Sequence, residues 1–292
     1  SVPKGGRLSD GEGDPPTLPT TPPAGTRDSA ERCGPAANCA RSWSEARRVG
    51  LGSSAKERQK PGMRARRSVV PLSPKRPTKA SPGLKVEIAG EPVVLLPERA
   101  ILWPARNTLF VADLHWGKRE TFVVEGMPLP DGLLEEELGL LDALVDAHEV
   151  KRIVVLGDLI HSREGLTPQV EETVARWRAT GPAFLLVRGN HDRHVKRLPE
   201  SWRIDESQDR TEPPFVLTHV PRRDPEGHVL AGHIHPALRL RGRGDGLRVP
   251  CFHVSPACTT LPAFSAFTGG AVVRKGQKDR AFAVTGDQVI EV

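Results

Sequence analysis

Five apolar runs of this chain stop on a residue able to bind a metal. TLFVA ends at Asp113, with His115 two residues on. IVVL ends at Gly157-Asp158, and FLLVR at Gly189-Asn190-His191-Asp192. FVLT ends at His219, and VLA at Gly232-His233-Ile234-His235. Runs of this length read as strands, and helical patterns separate the first three. Leu133, Leu134, Leu138, Leu141, Leu144 and Val145 fall on or near one face of a helix that Asp131 would cap and that runs to about residue 149. Thr167-Pro168 opens a second helix with proline at its favoured first position, ending near Gly181. Strands that alternate with helices form a parallel sheet, and such sheets collect their sites at the carboxyl ends of strands. Five ends can therefore meet at one point. The glycines let the chain turn sharply there and let backbone approach a ligand closely.

The rest of the pattern is mostly β. LKVEIAG, PVVLLP and AILWP precede the first of these strands. After residue 200 the helical signal fades into PFVLTH, GHVLAGH, ALRLR, LRVPCFHV, GAVVRK, AFAVTG and QVIEV. A β-α-β-α-β unit followed by many short strands predicts two packed sheets with helices on their outer faces.

Composition divides the chain. Residues 1–82 hold 12 of the 28 prolines, one aromatic residue (Trp43), and 16 Lys+Arg against 7 Asp+Glu. Such a stretch has little to bury and is expected to be a disordered, basic, Pro/Arg-rich extension. It is either merely solvated or a tether for an acidic partner such as nucleic acid. Residues 83–292 hold 26 Lys+Arg and 29 Asp+Glu and form the expected folded domain, long enough for one sizeable core. Cys33, Cys39, Cys251 and Cys258 lack the spacing of a zinc ribbon or a disulfide framework. No stretch has the apolar length of a membrane span, so the expectation is a cytoplasmic protein without a membrane partner. Oligomeric state leaves no mark in the sequence.

Asp113, His115, Asp158, Asn190, His219, His233 and His235 offer two carboxylates, one amide oxygen and four imidazoles. One bridging carboxylate would give each of two divalent ions about four protein ligands. Nitrogen and oxygen donors without thiolate suit Mn, Fe or Zn better than Ca or Mg, and manganese is the leading expectation. Two ions clamp the attacking and leaving oxygens of a phosphoryl group, and a metal-bridging hydroxide would be the nucleophile. Each motif alone has an ordinary explanation: a strand-end Asp is often a turn or cap, and a lone His is usually a hydrogen-bond partner. The inference rests on the set.

ADLH, GDLIH, GNHD, LTHV and GHIH, in that order, resemble the signature of the calcineurin-like metallophosphoesterases across about residues 84–292. The resemblance implies a four-layer α-β-β-α sandwich. It also implies one metal on Asp113, His115 and His235, a second on Asn190, His219 and His233, and Asp158 between them. His191 would face the scissile phosphate, and Asp192 would orient it. LFVADLHWGKRETF, VLGDLIHSREGL and LPAFSAFTGG further resemble the bacterial ligase-associated DNA damage response endonucleases of the PdeM type. That likeness implies a phosphodiesterase acting on DNA in the bacterial cytoplasm, with a DNA ligase, a helicase and an exonuclease as partners in the same system. A phosphomonoesterase acting on nucleotides or phosphoproteins is the alternative, since the same metals serve either. A non-catalytic scaffold fits poorly, because no ligand position is missing and His191 is present. His161, three residues after Asp158, is a candidate substrate contact. Trp116 is expected to pack beside solvated Lys118 and Arg119, and Phe264 and Phe267 to lie in the core.

Overall fold

The computed structural model describes residues 83–127, 129–241 and 246–292; the basic stretch 1–82 lies outside the described residues. The folded part opens with a meander: β1 (Leu84–Ile88), β2 (Glu91–Leu96), β3 (Ala100–Trp103) and β4 (Thr108–Val111). Two helices follow, α1 (Lys118–Val124) and α2 (Leu133–His148), then β5 (Arg152–Leu156), α3 (Pro168–Arg178), β6 (Ala183–Val187) and β7 (Asp205–Ser207). These seven strands form one sheet in sequence order, antiparallel from β1 to β4 and parallel from β4 to β7.

The second sheet is built from β8 (Arg210–Glu212), β9 (Phe215–Leu217), β10 (His228–Ala231), β11 (Pro236–Arg241), β12 (Gly246–Val254), β13 (Cys258–Thr260), β14 (Ala271–Val272), β15 (Arg280–Thr285) and β16 (Gln288–Glu291). Its main order is β14-β11-β12-β13-β10-β9-β8, with β15 paired to β12 and β16 to β15. β9, β10 and β13 run parallel at its centre.

Period-two alternation makes the layers. Leu109, Val111, Ile153, Val155, Phe184 and Leu186 point to the helices, where Leu138, Leu141 and Leu144 of α2 and Val170 and Val174 of α3 meet them. Phe110, Ala112, Val154, Leu156, Leu185 and Val187, on the opposite face, meet Phe215, Leu217, Leu230, Phe252 and Phe282 of the second sheet. The central strands are apolar throughout because both faces are covered. The two-sheet α/β sandwich expected from sequence is thus the observed one. Among the described residues no α-helix follows Arg178, and α2 and α3 both pack on the first sheet.

Local differences have local causes. α1 is only seven residues long, too short to show periodicity, and the sequence does not announce it. Asp131 does not cap α2: Gly132 precedes the helix in a left-handed conformation with no side-chain cap, and Asp131 pairs instead with Arg119. Thr167 does cap α3, its hydroxyl accepting from the Val170 N–H at 3.3 Å. That helix ends at Arg178, short of Gly181. The buried Arg178 guanidinium donates to the carbonyls of Trp202 at 3.0 Å, Pro182 at 3.0 Å and Arg203 at 3.4 Å. Replacing it strands three carbonyls. Arg178→Met is expected to cost about 2–4 kcal/mol, read as a lower urea midpoint with an unchanged slope.

Candidate metal centre

The loops after β4 and β5 stay zipped beyond the strands. Asp113 N–H donates to the Gly157 carbonyl at 3.0 Å, His115 N–H to Asp158 at 2.9 Å, and Trp116 N–H to Leu159 at 2.7 Å. Asp113, His115 and Asp158 are thereby fixed side by side. β9 and β10 deliver His219, His233 and His235 from the facing sheet, and the loop after β6 delivers Asn190 and His191.

The backbone is strained here more than elsewhere. Ten described non-glycine residues have positive φ, and five of them are Asp113, His115, Asp158, His233 and His235. Each such residue costs of order 1 kcal/mol or more, and clustering of this kind marks functional sites. Glycines clear the remaining space. A Cβ on Gly157, itself at φ +84°, would lie 2.1 Å from His219 Nδ1. One on Gly189 would lie 2.2 Å from Asp158 Oδ1, and one on Gly232 would lie 2.6 Å from Asp113 Oδ2. The glycine preceding each motif residue is therefore room for a second motif residue across the site.

Asp113, His115 and His235 place their candidate ligand atoms within 4.8 Å of one another, and so do Asp158, His219 and His233. In the second group the His219 Nδ1–H donates to the Leu156 carbonyl at 2.9 Å, which leaves Nε2 as a lone pair. That atom lies 2.8 Å from Asn190 Oδ1, 3.1 Å from His233 Nδ1 and 3.4 Å from Asp158 Oδ1. Acceptors facing one another need positive charge between them. A proton relieves one pair, whereas a divalent cation relieves them all. In the first group His235 Nδ1–H donates to the Gly269 carbonyl at 2.9 Å, and its Nε2 faces Asp113 Oδ1 at 3.3 Å. His235 Nε2 and His115 Nδ1 are buried without hydrogen-bond partners. The residues fit metal ions.

Electrostatics agree. Burial alone would raise the Asp158 carboxyl, but the His219 ring and the His191 N–H hold it at about 2. Burial works to lower His219 and His235. Asp158 and Asp113 outweigh it for both, so these rings sit above the ordinary histidine value. Burial takes His115 well below that value and also lowers His233.

Of the two residues given a catalytic part by resemblance, Asp192 is arranged differently from the expectation. Asp192 does not touch the His191 ring. Its carboxylate is fully buried and accepts the backbone N–H groups of Asp158 at 2.9 Å, Gly189 at 2.8 Å and Ile160 at 3.0 Å. It braces the loop that carries Asp158. His191 is oriented instead by the His161 carbonyl, 2.7 Å from its Nδ1. The His161 ring stacks on His191 at 5.5 Å and leans on Phe122 at 5.8 Å. His115, His161 and His191 form a third set of atoms within 4.8 Å.

Among the flanking residues, Trp116 packs against Trp177 and Trp202 in the core, as expected. Lys118 is not simply solvated: its ammonium donates to the Phe267 carbonyl at 2.7 Å and to Thr268 Oγ1 at 3.2 Å. Arg119 pairs with Glu120 and Asp131. Phe264 is buried, but Phe267 is 38% exposed, because only its backbone is needed here. In the sequence the LPAFSAFTGG segment stands out only as flanking similarity. Its contact with His235 was not legible there, since a carbonyl oxygen has no residue signature.

The chain matches the model of the calcineurin-like phosphoesterases over residues 106–253. A search among curated proteins returns no match. The crystal structure of the Pseudomonas putida nuclease MPE superposes with a TM-score of 0.63 at 35% identity, covering 72% of this chain and 100% of that one. A protein of unknown function from Aquifex aeolicus aligns over 44% of this chain and 78% of its own, at 17% identity and a TM-score of 0.31.

Metal uptake should be coupled to protons. His219 and His235 hold protons more tightly than free histidine, and a ligating imidazole must be neutral. Calorimetric titration with Mn²⁺ is expected to show weaker affinity and more protons released per ion at pH 6.5 than at pH 8. Equal release at the two values would contradict the assignment of these rings.

Proposed function

The chain belongs to the calcineurin-like phosphoesterase family, a family of metal-dependent phosphoesterases, and from that premise we propose that it is a phosphodiesterase that cuts DNA, an endonuclease of a ligase-associated repair system. The observation that carries this reading is the convergence of seven donors from two sheets on two adjoining points. Asp113, His115 and His235 would hold one divalent ion, Asn190, His219 and His233 would hold the other, and Asp158 would serve as a ligand between them. When bound, such ions supply Lewis acidity toward phosphoryl oxygens and make water more acidic. The mixed nitrogen and oxygen donors suit manganese, iron or zinc, and manganese is the ion proposed.

The side chains beside the ions do the remaining work. His191 gives its Nδ1–H to the His161 carbonyl, so Nε2 is the atom presented to substrate. As imidazolium, that nitrogen donates a proton toward the leaving oxygen; as the neutral ring it only accepts. Asp192 acts one step back, holding the backbone on which Asp158 and His191 stand. Burial first, and then the Lys118 charge, push His161 down to about 4, so it is neutral at physiological pH. It can contact a phosphodiester oxygen through a ring N–H without adding charge.

Nucleic acid as the substrate class is supported by the 35% identity to a nuclease over that protein's full length. The repair setting and the ligase, helicase and exonuclease partners are supported by the flanking sequences around ADLH, GDLIH and LPAFSAF. The N-terminal basic stretch, ahead of a phosphoesterase domain at 83–292, suits a tether to DNA.

Initial rates with Mn²⁺ on an aryl phosphodiester and the matching monoester test the reaction class. Preference for the diester is expected; preference for the monoester would place the protein with the phosphatases. Asp158→Asn should lose both bound metal and activity. His191→Ala should keep its metal and lose about 10²–10⁴ in rate. Loss of metal from His191→Ala would contradict the role given to it.

A further inference from the structure

The segment from Leu261 to Ala271 touches both halves of the site. Leu261 N–H donates to the Ala231 carbonyl at 2.8 Å, just before Gly232, and Phe264 N–H to the Ala112 carbonyl at 2.8 Å, just before Asp113. Arg99 Nη1 donates to the Ala263 carbonyl at 3.3 Å and the Ser265 carbonyl at 3.0 Å. Ala271 N–H donates to the His235 carbonyl at 3.1 Å. Between these anchors lies Gly269, whose carbonyl receives the His235 Nδ1–H at 2.9 Å.

Two side chains hold this stretch on either side of Gly269: Arg248 Nη1 donates to the Gly270 carbonyl at 3.3 Å, and Lys118 holds the side that leads back to His115. Its backbone N–H is tied to the His115 carbonyl at 3.1 Å. Its ammonium donates to the Phe267 carbonyl at 2.7 Å and Thr268 Oγ1 at 3.2 Å. A closed circuit results: His115, Lys118, Phe267–Thr268, Gly269, His235. It joins two of the three residues around the first metal position. The second position is held by other bonds, from His219 to the Leu156 carbonyl and from the Asp158 and Gly189 N–H groups to the Asp192 carboxylate. Lys118 takes part in none of these.

We propose that Lys118 is a positioning residue for one metal position alone, fixing the Gly269 carbonyl so that His235 keeps Nδ1 protonated and turns Nε2 toward Asp113. The inference rests on the metal reading above. Groups that orient a ligand in this way typically contribute 10–100-fold in metal affinity. Losing the circuit should therefore make the two positions unequal.

The test is Mn²⁺ titration of the full chain by calorimetry and electron spin resonance, with thermal unfolding of the metal-free protein beside it. Wild type is expected to bind two ions. Lys118→Met should bind one as before and the other about 10–100-fold more weakly, with Lys118→Arg recovering part of the loss. Thr268→Val, which removes one of the two bonds, should shift the same position by less and guards against a misfolded Lys118→Met. Equal weakening of both positions with a lower melting temperature would overturn the proposal in favour of a general structural role. Unchanged binding with a raised KM for DNA would overturn it in favour of a substrate contact. Fewer than two ions on wild type would overturn the two-metal reading itself, and the positioning role with it.

Discussion

Two carboxylates, Asp113 and Asp158, are buried at the carboxyl ends of adjacent parallel strands, and among the described residues neither has a lysine or arginine paired with it. Burying a charge without compensation is among the costliest things a fold can do. Backbone N–H groups meet part of the need: His233 N–H serves Asp113 at 3.0 Å, and His191 N–H serves Asp158 at 2.9 Å. The rest is left to histidines whose own lone pairs face the same points. A structure that concentrates acceptors in this way is built around cations it expects to receive. The left-handed residues and the crowded glycines follow from that demand, because ordinary strand-to-loop geometry would keep these groups apart.

The sandwich makes the demand affordable. β4, β5 and β6 are covered on both faces, by α2 and α3 on one side and the second sheet on the other. Their ends are therefore rigid enough to hold strained residues. The second sheet contributes His219, His233 and His235 from β9 and β10, which run parallel to each other and so end at the same side. The first sheet brings four of the seven donors and the second brings three, and each of the two metal positions draws on both sheets.

Much of this was legible in the sequence because strand ends carry it. Apolar runs ending in Asp, Asn or His announce both the sheet and its chemistry, and Thr167-Pro168 announces a helix start. What was not legible depends on contacts without a residue signature. Asp192 looks like a partner for its neighbour His191, yet three backbone N–H groups from the loops after β5 and β6 claim it. The group that orients His191 is a carbonyl, as is the one that orients His235. Phe267 reads as core by composition, but its place is set by a main-chain bond to Lys118. Gly132, rather than Asp131, opens α2 because buried leucines hold that helix without a cap.

The central claim is that these donors form two adjoining metal positions with Asp158 common to both. Diffraction from Mn²⁺-loaded crystals at the manganese absorption edge tests it most directly. The account predicts two anomalous peaks, one among Asp113, His115 and His235, the other among Asn190, His219 and His233, each in contact with Asp158. A single peak, or a peak held by His115, His161 and His191 instead, would contradict it.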